Sequence, residues 1–272
     1  YGLSGSGTDQ QLLIFEKFAQ DVEADLVVLG IFVENIERIK LSHRPSIDRI
    51  TRQKILVPKP YFTLENGQLV LKQVPVPLER PHAGSSNASE EQSFMEKAID
   101  RYRNDPRFSG LRNLVGNGSS GLSVELRSKI LRLNGLQPHP DYLSDMSPGW
   151  QLMQAILDRF IAGASPRPLL IVPIPSYYFF LHRLAPVYQK LFQQFDSPER
   201  NVHVADITTP LAKLSRNERA ALTFKEDGHF CQNGHRKVAE LIGNEIRSRK
   251  LLHSPTEKVI VPGVALTGRS KP

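Results

Sequence analysis

The sequence predicts an α/β fold with a mostly parallel sheet, and three observations carry that prediction. Two apolar runs of strand length, Leu26–Val33 and Leu169–Pro175, lack the alternation of a half-exposed strand, as expected for parallel strands covered on both faces. Each run follows a stretch with helical spacing of apolar residues. A long amphipathic segment near residues 234–249 supplies a further covering helix.

Taken in order, residues 2–7 read as a glycine-rich loop, and Thr8 is placed to cap a helix. Leu12, Phe15, Phe18, Ala19 and Val22 then share one helical face and are expected to be buried. Asp25 precedes the first strand. Trp150, Met153, Ile156, Leu157 and Phe160 form the apolar stripe of a helix leading into the second strand, and another helix is expected over 177–194. Asn201–Asp206 reads as a shorter third strand. The last helix turns Val238, Leu241, Ile242 and Ile246 inward, with Asn233 as its N-cap.

Between residues 37 and 148 the α/β alternation lapses. Tyr61–Leu64 and Gln68–Leu71 flank Asn66-Gly67, the signature of a tight hairpin. Residues 82–92 and 105–123 are rich in small and polar residues and read as loops. The block is expected to be an insertion decorating the substrate side of a single domain over residues 1–250, followed by a basic tail, 251–272, with a short strand at Val259–Val261. The chain opens at Tyr1 within core-like sequence and is read as a piece of a longer protein.

With 272 residues, 40% of them hydrophobic, the chain can bury a sizeable core. Its one cysteine, Cys231, excludes an intrachain disulfide. The longest strongly apolar run falls well short of the roughly 20 residues a bilayer span needs. The net charge of +7 comes from scattered residues, with modest clusters at Arg247–Lys250 and Arg269–Lys271, and no aromatic-interleaved basic patch marks a nucleic-acid surface.

The chemistry concentrates at Asp227-Gly228-His229, just ahead of the last helix. An acid one residue from an imidazole can fix its tautomer and support it as a general base. Cys231 and His235 lie close by, but the set lacks third and fourth metal ligands, so a small buried cysteine is the expectation. The glycine spacing of residues 2–7 fits neither a dinucleotide fingerprint nor a P-loop.

Three segments together resemble the SGNH hydrolases, the GDSL-type esterases and lipases. Gly2-Leu3-Ser4-Gly5-Ser6-Gly7-Thr8-Asp9 is similar to the family's second block, and the strand followed by Val33-Glu34-Asn35-Ile36 to its third. The Asp227/His229 segment is similar to its last. The resemblance implies a flavodoxin-like three-layer sandwich. It assigns Asp227 and His229 to the catalytic base, and the backbone N–H of Gly5 and the side-chain amide of Asn35 to an oxyanion hole. It implies no cofactor and no metal.

The chain departs from the family pattern in three places. The Gly-Asp-Ser block with the nucleophilic serine is absent, Ile36 stands where an aspartate usually follows the asparagine, and one residue rather than two separates acid and histidine. Ser4 and Ser6 lie one block too late to replace the nucleophile. The implied activity is hydrolysis of small acyl esters, O-acyl groups on carbohydrate among them, by a serine lying upstream of Tyr1. The alternatives are an O-acyltransferase using the same residues, or a non-catalytic protein of the same fold. On this reading residues 1–272 alone are inactive, and they expose the edge where the family's first, central strand belongs, which favours aggregation.

Overall fold

Three parallel strands organise the chain: β1 (Val27–Phe32), β7 (Leu169–Ile174) and β8 (Val202–Val204), in the order β1-β7-β8. The computed structural model describes residues 5–48, 50–52, 54–77, 82–83, 124–133, 135–224 and 228–252. β1 and β7 pair over their full lengths, from Val27 opposite Leu169 to Phe32 opposite Ile174. Because side chains alternate along a strand, β7 feeds two cores. Leu169 and Ile171 join Leu29, Ile31, Val202 and Val204 on one face. Leu170 and Val172 join Ala205, Ile207 and Val238 on the other.

Helices cover both faces. Helix α1 (Thr8–Ile14, continuing as a π-helix over Phe15–Ala19) and helix α4 (Pro148–Ala164) pack on the first. Ser147 caps α4, accepting from the Trp150 N–H at 3.3 Å, and Trp150, Met153, Ile156, Leu157 and Phe160 are buried as the spacing predicts. Each such side chain contributes about 1.5–3 kcal/mol by leaving water. The far face carries α9 (Gln232–Ser248), whose Val238 is buried and whose Leu241, Ile242 and Ile246 are half-buried. Arg249, within the basic run, ties the end of this helix to the sheet through Asp196 at 2.9 Å and the Val204 carbonyl at 3.1 Å.

Several expectations are corrected. Gly7, not Thr8, is the N-cap of α1, and Thr8 is buried as the first helical residue. Phe18 is 56% exposed and Val22 45%, because the widened π-turn at Phe15–Ala19 takes them off the face that Leu12 and Phe15 bury. β1 is not covered on both faces: Leu29 and Ile31 are buried, but Val28 is 45% exposed. The helix expected over 177–194 is two short helices, α5 (Tyr177–Phe180) and α6 (Tyr188–Gln193). They are separated by Arg183 in a left-handed conformation and by Pro186. Cys231, half-buried rather than buried, occupies the N-cap position of α9, and Asn233 lies inside the helix.

The 37–148 block contributes β2 (His43–Ile47), β3 (Lys54–Pro58) and β6 (His82–Ala83) as a small antiparallel sheet, and β4 (Tyr61–Glu65) with β5 (Gln68–Lys72) as the expected hairpin. Asn66 and Gly67 both have positive φ, the geometry of a two-residue hairpin turn. The hairpin packs on the helix layer of α1 and α4 through buried Phe62. The end of the block is core rather than decoration: Tyr142 is buried, and its hydroxyl donates to the Val33 carbonyl at 2.9 Å. Helix α3 (Val124–Leu133) lies in the same block. The loop over 105–123, most of the loop over 82–92 and the strand at Val259–Val261 lie outside the described residues.

One ion pair pins the block to α1. Lys59 donates to Asp9, and both side chains are buried. Burial raises the Asp9 carboxyl above its ordinary value of 3.8, with Lys59 pulling it back down, and burial lowers Lys59 below 10.5. Both shifts disfavour the charged forms, so desolvation outweighs the attraction and the pair positions the block more than it stabilises it. Lys59→Met, which strands the Asp9 carboxylate, is expected to cost about 3–5 kcal/mol at neutral pH in urea denaturation. Asp9→Leu/Lys59→Met should recover most of that. The folded-state pKa of Asp9 in the single variant lies above its unfolded value, so the deficit should be smallest below 3.8, grow as pH rises above 3.8, and level off above the folded-state value.

Candidate functional site

The C-terminal ends of parallel strands are where an α/β sheet offers its turns and helix starts to a ligand. Here the Val33 N–H donates to the Ile174 carbonyl at 3.0 Å, so the chain leaves β1 and β7 side by side. β1 leads into α2 (Asn35–Arg38), and β7 leads through Pro175 and Ser176 into α5. Ser176 is buried, and its hydroxyl has no hydrogen-bond partner among the described residues.

Asn35 is 3% exposed, and its Nδ2 donates to Thr8 Oγ1 at 3.4 Å, across 27 residues of sequence. Its Oδ1 is buried and has no partner among the described residues. This contact brings the start of α1, and with it the Gly5–Gly7 loop, to the end of β1. Gly5 itself is exposed with φ of 71°. Thr8, read in the sequence only as a helix cap, joins the two segments through its hydroxyl. Ser4 lies outside the described residues.

His229 sits in a tight turn built by α8 (Arg216–Ala220) and the chain that follows it. Thr223 and Phe230 form an antiparallel bridge, the Phe224 N–H donates to the His229 carbonyl at 2.9 Å, and the Cys231 N–H donates to the Leu222 carbonyl at 2.9 Å. The turn leans on the end of β7. The Phe230 ring stacks on Phe180 at 5.0 Å, and Gly228 packs against the Tyr177 ring. The His229 side chain is exposed, and Asp227 lies outside the described residues. Cys231 Sγ donates to the Ala221 carbonyl at 3.2 Å, and His235 is exposed on the first turn of α9 with its ring 6.2 Å from that of Phe230.

The segment with Gly5 and Asn35 and the segment with His229 therefore reach the same edge of the sheet, one at the end of β1 and the other at the end of the adjacent β7. A different opening runs along the free edge of β1. Among the described residues β1 pairs only with β7, and a groove of about 410 Å³, lined by Gln11, Ile14, Phe15, Val22, Val28 and Phe160 among others, follows its outer side. Gln11 Nε2 donates to the Gly30 carbonyl on this side at 2.9 Å, taking the place of a neighbouring strand. Among the described residues no group of three or more His, Cys, Asp or Glu side chains could hold a metal ion, and no helix is long and apolar enough to cross a membrane. Comparison with protein-family models, curated proteins and solved structures gives no match.

The seating of the His229 turn is testable. A Cβ on Gly228 would come within 2.7 Å of the Tyr177 ring, and its φ of 72° strains any L side chain. Gly228→Ala is expected to lose about 1–3 kcal/mol in thermal denaturation. Adding Tyr177→Ala should relieve the crowding but not the backbone strain. A Gly228→Ala protein as stable as the parent would show that the turn is not held on Tyr177.

Proposed function

We propose that this chain carries the base and oxyanion-binding elements of a serine ester hydrolase on a flavodoxin-like sheet. The observation supporting the reading best is convergence. Two segments, separated by nearly two hundred residues and each similar to an SGNH block, reach neighbouring strand ends of one parallel sheet. The edge of β1 left open among the described residues, with its apolar groove, fits a further strand, the element that would carry the nucleophile.

In this reaction the serine oxygen attacks the acyl carbon while His229 takes its proton. His229 then returns the proton to the leaving alkoxide, and water repeats the cycle on the acyl-enzyme. Asp227 orients the imidazole and stabilises its protonated form. The Gly5 N–H and the Asn35 amide receive the developing oxyanion. Asn35 Nδ2 carries two N–H groups, and its contact with Thr8 uses one. The substrate is a small acyl ester, with O-acylated carbohydrate in its range. A second reading, a non-catalytic protein of the same fold, draws on the deep burial of Asn35, which suits a residue that holds two segments together.

The deciding measurement is turnover of a chromogenic acetyl ester by the full-length gene product. His229→Ala should lower it about a thousandfold or more. Asn35→Ala should lower kcat about 10²–10³-fold with little change in KM. Residues 1–272 alone should give no turnover. Parent-like activity in His229→Ala would overturn the reading.

A further inference from the structure

Away from the β1 edge, three elements distant in sequence enclose a cavity of about 540 Å³ whose lining is strongly cationic. Helix α3 supplies Lys129 and Arg132, the turn after α5 supplies His182 and Arg183, and α8 supplies Arg216 and Arg219. Among the described residues its lining holds no carboxylate. Cationic groups gathered in one cavity raise its local potential and favour a ligand of opposite sign.

Arg219 makes the case sharper. It is 7% exposed, and its Nη1 donates to the carbonyls of Leu214 and, at 3.3 Å, Ala212. Its Nε is buried and has no hydrogen-bond partner among the described residues, which leaves a guanidinium donor inside the molecule unused. Burial, then Arg183 and Arg216, hold its pKa below the ordinary arginine value. The acid next to it, Glu218, is committed elsewhere, accepting from the Ser215 N–H at 2.8 Å in the capping box of α8. Arg183 holds φ of 57°, a conformation that glycine or asparagine adopts more cheaply, yet the position carries a cation that lines the cavity.

We propose that this cavity is a binding site for a small polyvalent oxyanion, a phosphate or sulfate group. Guanidinium groups suit such a ligand because their planar forks match two oxygens at once. The site is built on α3, the turn after α5 and α8, close to the elements that seat the His229 turn, but none of its described lining residues belongs to that turn, and it stands whether or not the ester chemistry does.

The test is isothermal titration of the 272-residue chain with inorganic phosphate and with sulfate, at constant ionic strength in chloride. Saturable binding of one anion per chain is expected. Arg183→Asn, which suits the left-handed backbone, and Arg216→Ala, on an exposed side chain, should each weaken it roughly tenfold or more. Lys237→Ala, outside the cavity, should not. Thermal melts of each variant separate lost binding from lost fold. Competition by a sugar phosphate distinguishes sources: displacement of inorganic phosphate assigns the site to an esterified group, and failure to displace assigns it to the free anion. Absence of saturable binding, or equal weakening by Lys237→Ala, would overturn the proposal.

Discussion

The pairing of β1 with β7 is the constraint on which the rest depends. Six residue pairs in parallel register align Phe32 with Ile174, so both chains leave the sheet at one level. That level fixes where Asn35 begins α2 and where Tyr177 begins α5. It also fixes Val33, whose carbonyl takes the Tyr142 hydroxyl and so anchors the aromatic layer of Tyr142, Trp150, Tyr188 and Phe192 beneath the sheet. A slip of one residue would exchange Leu169 and Ile171 with Leu170 and Val172 between the two cores and lose both.

Much of this frame was legible in the sequence, because continuous apolar runs and a 3.6-residue stripe are direct records of burial. The three strands, α4, α9 and the Asn66-Gly67 hairpin all follow from such patterns. Where the reading failed, a tertiary feature overrode a local one. Phe18 keeps helical spacing, but the π-turn rotates it away from the core. Residues 177–194 are apolar enough for one helix, yet the left-handed Arg183 and Pro186 divide them. Helix α8 had a readable signal in Ser215 and Glu218, whose reciprocal bonds form its capping box. The small sheet of β2, β3 and β6 had none, since its strands are short and β6 joins it from a distance in sequence.

The candidate site was legible as residue types but not as an arrangement. Gly5, Asn35 and His229 could be named from their segments, whereas Thr8 and Tyr177, which hold those segments at the strand ends, are visible only through a hydrogen bond and a ring contact. The same holds for charge. The cations of the basic cavity are spread over some ninety positions of sequence and look like ordinary solvated surface there. Conversely, Arg249 belongs to a conspicuous basic run but is spent on Asp196, Glu245 and a carbonyl of β8. Sequence clusters of charge and spatial clusters of charge are different objects.

Trp150 is the chain's one tryptophan, fully buried, with Phe192 at 5.2 Å and Tyr142 at 5.9 Å between ring centroids. None of the residues lining the cationic cavity belongs to that aromatic layer. The molecule therefore contains a built-in optical reporter with a single origin: the intrinsic emission excited at the red edge of the spectrum comes from the layer beneath β1 and β7 and from nowhere else. Its wavelength follows the dryness of that layer, and so reads out whether the scaffold is assembled, separately from whatever occupies the surface.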